Sequence, residues 1–142
     1  TLIKAVKDNP RMNIPVFGNG DIDTPEKAKL MRDEFGLDGA MIGRGSIGNP
    51  WIFNEIKHYL KTGEYLARPS MQERVEACKQ HLKHSIEWKG KILGIAEMKR
   101  HYTNYFKGIN DFKSYRIKMV TSESETEILE TLNEVALKFE GV

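Results

Sequence analysis

The chain has 142 residues, 39% of them hydrophobic and 30% charged, with a formal net charge of +2, which fits one domain or two small ones with a packed core. The charge content and the lack of an apolar run of ~18 to 20 residues argue against a membrane protein. Cys78 is the single cysteine, so an internal disulfide is excluded and a cytoplasmic location is the default expectation. Residues 1–7 contain neither an initiator Met nor a signal-peptide core, which predicts an excised or processed chain.

The first half of the chain alternates short apolar runs with helical stretches. Residues 2–7 are typical of the end of a helix. Ile14-Pro15-Val16-Phe17 then predicts a short buried strand that leaves into Gly18-Asn19-Gly20. A second buried strand is predicted at residues 39–42, and it also leaves into glycines, over residues 43–48.

Each predicted strand is followed by a predicted helix. The first helix has Asp23 as its expected cap and Pro25 at a position where the missing N–H does no harm. It is expected to run to about Phe35 and to stop at Gly36, and the second helix to end before Gly63. This repeated order of strand, glycine loop and helix predicts parallel βα units. Because two such units cannot cover a parallel sheet, further strands upstream are expected.

The second half is predicted to be helical throughout. It begins with a capping box in which Ser70 and Glu73 bond each other's backbone N–H groups, and a second capping box is expected at Ser124 and Glu127. Short connections between four helices predict a small bundle. Apolar residues recur at helical spacing in three stretches: Met71, Val75, Cys78, Leu82 and Ile86; Ile95, Met98, Tyr102 and Tyr105; Ile128, Leu132, Val135 and Phe139.

The two glycine loops predict a phosphate site. They lie at the carboxyl ends of consecutive parallel strands, where glycines let backbone N–H groups approach an anion closely. Arg44 adds a planar cation between two glycines, Asn19 offers an amide and Asp21 an acceptor. The expected ligands are Asn19, Gly20, Asp21, Gly43 and Arg44, although glycine-rich turns are also common in βα units without a ligand.

Charge is unevenly distributed in the helical half. Residues 89–118 carry eight Lys or Arg against two acidic residues, a net +6, whereas residues 119–142 carry six Glu and one Lys, a net −5. Such asymmetry indicates a polyanionic partner, or two solvated helix faces of opposite sign that attract each other.

Three motifs resemble the bacterial tRNA-dihydrouridine synthases. They are Ile14-Pro15-Val16-Phe17-Gly18-Asn19-Gly20-Asp21-Ile22, then Asp38-Gly39-Ala40-Met41-Ile42-Gly43-Arg44-Gly45 with Gly48-Asn49-Pro50-Trp51-Ile52-Phe53, and finally Glu97-Met98-Lys99-Arg100-His101-Tyr102 with Tyr105-Phe106-Lys107-Gly108. Where the family usually has Met-Arg-Lys-His, Lys99 and Arg100 stand in the reverse order, so a bidentate contact from the first position is not carried over.

The resemblance implies an α/β fold in which residues 1–66 form the last two βα units of an FMN-bearing (β/α)8 TIM barrel and residues 67–142 a four-helix domain that recognises tRNA. Such enzymes reduce uridine in tRNA to 5,6-dihydrouridine with FMN, and NAD(P)H supplies the electrons. By position, the glycine-loop ligands would hold the FMN phosphate, and Lys99, Arg100, His101 and Lys107 would face RNA.

The resemblance also implies a catalytic cysteine that lies outside this chain, so the segment alone is predicted to be inactive. Cys78 is predicted to be a buried structural thiol because it lies on an apolar helical stripe. His81 and His84 are three residues apart, but no third ligand follows at a suitable spacing, so no metal site is expected and both are predicted to face solvent.

Two other interpretations stay open at this point. The chain could be a stand-alone RNA-binding module without activity, or part of another FMN- or sugar-phosphate-binding TIM-barrel enzyme with an unrelated helical tail. Open strand edges in such a segment predict self-association.

Overall fold

The computed structural model describes residues 2–141. Two compact units meet in sequence between Ala67 and Arg68. No helix in the described range is both long and apolar enough to cross a membrane. The elements in chain order are α1 (Leu2–Lys7), β1 (Phe17–Asn19), α2 (Pro25–Phe35), β2 (Gly39–Met41), a 3-10 turn (Arg44–Ser46), α3 (Ile52–Thr62), α4 (Met71–Lys89), α5 (Lys91–Tyr105), α6 (Lys113–Thr121) and α7 (Glu125–Lys138).

The first unit contains the two predicted strands as a parallel pair. Phe17 pairs with Gly39, and Asn19 pairs with Met41. The prediction that both strands are buried is wrong, because Phe17 is 66% and Met41 59% exposed. A pair of parallel strands has no neighbours to cover its outer edges, so these side chains stay open to solvent. Ile14, where the first strand was predicted to begin, precedes β1 and is 67% exposed.

Local chemistry sets the ends of the helices in this unit. The cap of α2 is Thr24, whose hydroxyl accepts from the backbone N–H of Lys27; the prediction of Asp23 as the cap is therefore wrong by one residue. Pro25 occupies the first turn as expected. The helix ends at Gly36, with φ 64° in the left-handed region that glycine favours.

Helices α2 and α3 enclose the core of the first unit. The buried members are Ile22, Ala28, Ile52 and Ile56, and the partly buried Met31, Ala40, Ile42 and Leu60 pack against them. The core therefore joins the face of the strands to both helices, as the βα pattern predicts.

The second unit begins with the predicted capping box. Ser70 accepts from the N–H of Glu73, and the Glu73 carboxylate accepts from the N–H of Ser70. The second predicted box forms only in part, since Ser124 accepts from the N–H of Glu127 while the Glu127 carboxylate accepts from the Ser122 hydroxyl, at 2.7 Å.

The predicted apolar stripes form the core of the second unit, with one exchange on α4. Ser85 is buried where Ile86 was predicted, and its hydroxyl donates to the carbonyl of Gly94 at 3.1 Å. A Cβ on Gly94 would lie 2.7 Å from the Ile86 backbone, so α4 and α5 approach too closely for a larger residue. The buried members shared by the four helices include Met71, Val75, Cys78, Leu82, Ile95, Met98, Tyr102, Tyr105, Met119, Ile128, Leu132 and Val135.

Candidate functional site

The two glycine loops leave the same edge of the parallel pair. Asn19 and Met41 are register partners at the ends of β1 and β2, so the residues that follow them begin side by side. After β1 the chain turns at Asp21, whose φ of 41° lies in the left-handed region. After β2 it passes Gly43 into the 3-10 turn that Arg44 begins. The structure thus brings together both groups of predicted phosphate ligands.

A side-chain ion pair links the two loops. The Arg44 guanidinium donates to the Asp21 carboxylate. Both side chains are largely exposed, at 82% for Arg44 and 70% for Asp21. Exposed pairs of this kind contribute only about 0–1 kcal/mol, so an anion with more charge than a single carboxylate can take the place of Asp21 at small cost.

Two glycines of the second loop have different surroundings. A Cβ at Gly45 would lie 2.5 Å from the carbonyl oxygen of Ile22, which shows that Gly45 packs directly on the backbone of the first loop. A Cβ at Gly43 would meet nothing within 4 Å. Gly45 therefore holds the loops together, while Gly43 leaves open backbone surface beside Arg44.

A second cation, absent from the predicted ligand set, stands at the first loop. The Lys27 ammonium donates to the backbone carbonyl of Asp21 at 3.2 Å and pairs with the Asp23 carboxylate at 2.6 Å. The signal in the sequence was the position of Lys27 in the first turn after the Thr24 cap, which places it next to the loop that enters the helix. Arg44 and Lys27 thus supply positive charge around Asp21.

The predicted RNA-facing residues lie on and after α5. Arg100 is exposed, whereas Lys99 and His101 are half-buried. The Nε of Arg100 donates to Nε2 of His101 at 3.3 Å. Lys107 is exposed and lies two residues beyond Tyr105, the last residue of α5.

The prediction that His81 faces solvent is wrong. Its ring lies against that of His101, with centroids 4.7 Å apart, and its Nδ1 is 3.1 Å from the Tyr105 hydroxyl. Burial, with smaller contributions from nearby positive groups that include His84 and Arg100, lowers the pKa of His81. Burial is also the main cause that lowers the pKa of His101, and the charge interaction with the neighbouring His81 lowers it further. Both rings therefore favour the neutral form, in which a nitrogen can accept from Arg100.

The single cysteine lies in the core of the helical unit. Cys78 is fully buried, as its place on the apolar stripe predicts, and burial raises the pKa of its thiol far above the ordinary value. Among the described residues no group of three or more His, Cys, Asp or Glu could hold a metal ion.

Part of the charge asymmetry is satisfied within the second unit. Lys118 pairs with Glu134 at 3.2 Å, which joins the basic segment to the acidic helix α7. Lys89 pairs with Glu97 at 2.5 Å. One exposed ion pair therefore joins the two segments of opposite charge, while Arg100 on α5 and Lys107 after it are exposed cations of the predicted RNA-facing set.

A family model described as dihydrouridine synthase (Dus) matches residues 1–140. The chain belongs to the dihydrouridine synthase family. It is 46% identical over 99 residues to tRNA-dihydrouridine synthase B of Shewanella oneidensis, which covers 70% of this chain and 30% of that protein. It is 39% identical over 116 residues to the same enzyme of Pseudomonas putida, covering 82% and 34%. A probable tRNA-dihydrouridine synthase of Rickettsia conorii is 33% identical over 140 residues, covering 91% and 42%.

The chain therefore spans between 30% and 42% of the length of these curated relatives. The family match runs through both units, since it extends from residue 1 to residue 140. This contradicts the interpretation in which a different barrel enzyme carries an unrelated helical tail.

Proposed function

We propose that this chain is the part of a flavin-dependent tRNA-dihydrouridine synthase that holds the phosphate of FMN and contacts tRNA. Residues 1–66 would form the last two βα units of a (β/α)8 TIM barrel, and residues 67–142 a tRNA-recognition domain in a cytoplasmic enzyme. The observation that carries the proposal is the meeting of two glycine loops and Arg44 at one edge of a parallel strand pair.

The loops have the chemistry that a phosphate monoester needs. In barrels of this kind the carboxyl ends of the last strands commonly hold phosphate. Here Gly43 offers open backbone, and Arg44 is held only by an exposed carboxylate that an anion can displace. The Asn19 amide and the N–H of Gly20 lie on the neighbouring loop, and Lys27 adds charge at its far side. These residues fit the phosphate end of FMN.

Bound FMN would supply the hydride that reduces the uracil ring, with NAD(P)H as the reductant. The residues of this chain would anchor the phosphate and so orient the flavin. We assign the proton donor to no residue of this chain, since its one cysteine, Cys78, is fully buried in the helical unit. We therefore expect no dihydrouridine to form when the 142-residue chain alone is given FMN, NADPH and tRNA.

Phosphate binding is tested by titrating the chain with inorganic phosphate and with FMN and following backbone amide NMR shifts. We expect the shifts to concentrate at Gly20 and Gly43–Ser46 and to be lost in Arg44→Gln. The matched control is Arg32→Gln, since Arg32 is also exposed and paired with an aspartate, at 2.7 Å from Asp33, but lies on α2. Shifts that survive Arg44→Gln, or that vanish equally in both variants, would refute the phosphate assignment.

RNA binding is tested with an unmodified tRNA transcript over a salt series. If Lys99 and Arg100 contact phosphates, the Lys99→Ala/Arg100→Ala variant should show a log–log salt slope shallower by about 2. Lys57→Ala/Lys61→Ala removes the same charge from exposed positions of α3 and should leave the slope unchanged. Equal slopes in both double variants would place the RNA surface elsewhere.

A second candidate function is a pure RNA-binding module. The structure of the helical unit favours this alternative, because the unit has a buried core of its own. The strand side chains of the first unit are exposed instead. RNA binding without any phosphate- or FMN-dependent shift at the glycine loops would support this alternative over the flavin proposal.

A further inference from the structure

The connection between α4 and α5 carries the most exposed aromatic side chain that the structure describes. Trp88, at the end of α4, is 82% exposed. The chain reverses at Gly90, with φ 81°, and α5 then opens with Ile92 and Leu93, which are 86% and 62% exposed. We call these three residues the apolar tip. Clustered exposed apolar side chains mark binding surfaces more often than scattered ones do.

Charged contacts connect the apolar tip to the proposed RNA surface. The Lys89 ammonium lies 4.8 Å from the centre of the Trp88 ring and 2.5 Å from the Glu97 carboxylate. Glu97 also lies 3.9 Å from the Arg100 guanidinium. On α5 the spacing of Leu93, Glu97 and Arg100, in steps of four and three, places them on one helical face. One continuous surface therefore runs from Trp88 to Arg100.

The charges beside the tip decide between possible occupants. A second copy of this chain meeting the tip across a two-fold axis would bring Lys89 and Lys91 close to their own equivalents, which costs free energy. A polyanion would instead be attracted by them. An aromatic face flanked by cations is the arrangement that proteins use to stack unpaired bases while phosphates are neutralised alongside.

We propose that Trp88 is a stacking platform for an unpaired nucleobase of the RNA whose phosphates Lys99 and Arg100 contact. The inference rests on the proposed tRNA-binding function and deepens it, because it assigns a base contact in addition to phosphate contacts. Glu97 holds Lys89 beside the ring, where its charge would be available to a phosphate next to the stacked base.

The experiment measures tRNA affinity of the full chain for Trp88→Ala and Trp88→Phe over a salt series. Stacking contributes about 1–3 kcal/mol per base, so Trp88→Ala should bind roughly 5- to 150-fold more weakly. Its salt slope should equal that of the wild type, since no phosphate contact is lost. Trp88→Phe should recover part of the affinity, and Leu137→Ala, which removes an exposed apolar side chain from α7, outside the apolar tip, should change affinity little.

Fluorescence gives an independent readout in a Trp51→Phe background, where Trp88 is the only tryptophan. Single-stranded RNA and tRNA should quench the fluorescence of Trp88. Inorganic polyphosphate, which has charge but no bases, should bind without quenching this fluorescence. Thermal unfolding of each variant checks that the fold is intact, as expected for an exposed position.

The outcomes separate the inference from the function on which it rests. Wild-type binding with no quenching and no loss in Trp88→Ala overturns the stacking proposal and leaves tRNA binding intact. No RNA binding by the wild type at low salt overturns both. A change from dimer to monomer on Trp88→Ala, seen by sedimentation without any change in RNA affinity, assigns the tip to self-association instead.

Discussion

In the helical unit the inner-face residues Leu82 and Ile128 are at most 1% exposed, whereas in the first unit the strand residues Phe17 and Met41 are 66% and 59% exposed. Helices complete their backbone hydrogen bonds internally and need only one covered face. Parallel strands need neighbours on both sides. This chain therefore contains one unit with a closed core of its own and one unit whose strand side chains are exposed to solvent.

The largest expected effect compares the same substitution in the two units. Ile128→Ala should destabilise the helical unit by about 2–5 kcal/mol, since it leaves a cavity in a closed core. Ile14→Ala, at a position that is 67% exposed, should change stability by no more than about 0.5 kcal/mol. Urea unfolding followed by circular dichroism measures the free energy of unfolding of both variants. Comparable losses of stability would show that Ile14 is buried in solution.

Close backbone contacts occur in both units, so substitutions at these contacts should destabilise the two units by similar amounts. A Cβ at Gly94 would lie 2.7 Å from Ile86, and one at Gly45 would lie 2.5 Å from the carbonyl of Ile22. We expect Gly94→Ala and Gly45→Ala each to cost about 1–3 kcal/mol. Gly43→Ala, with nothing within 4 Å, is the control for Gly45→Ala. If Gly43→Ala destabilises the unit as much as Gly45→Ala does, the packing of the loops is different from the one described.

The helix caps provide a smaller comparison. Ser70 belongs to a reciprocal capping box, whereas Thr24 makes a single cap hydrogen bond of 3.4 Å. Ser70→Ala should cost about 1 kcal/mol, and Thr24→Ala less. Amide hydrogen exchange in the first turns of α4 and α2 reports the two effects separately, and a larger loss at Thr24 would reverse the expected order.

The smallest expected effect is a pH dependence confined to the helical unit. The folded pKa values of His81 and His101 are lowered below the ordinary 6.5, chiefly by burial. The unfolded state then binds more protons, so stability is highest above pH 6.5 and decreases as the pH falls below it. His84, Arg100 and Glu97 also face this pair. His81→Gln should flatten the decrease, and NMR titration of the ring protons should show both values below 6.5.

Much of the helical unit could be predicted from the order of residues. The stripes on α4, α5 and α7 and the Ser70 capping box follow from local spacing, and the structure confirms them. Ser85 could not be predicted in the core, because its burial depends on the approach of Gly94 from another helix. The same holds for His81, whose neighbours Tyr105 and His101 lie on α5.

The candidate site divides in the same way. Both glycine loops and the presence of Arg44 between glycines were visible in the chain order. The ion pair between Arg44 and Asp21 and the position of Lys27 on the first loop depend on two loops meeting. The assignment of the glycine-loop residues to FMN remains a prediction. So does the assignment of RNA contacts to Lys99, Arg100, His101 and Lys107.

Local sequence by itself determined the helices, the parallel βα order and the family, because each depends on spacing or on motifs read along one segment. Only the tertiary structure decided which strand residues stay exposed, which histidine rings pack against each other and which charges meet across loops. The physical reason is that burial and ion pairing depend on what another segment brings within a few ångströms, which no single stretch of sequence specifies.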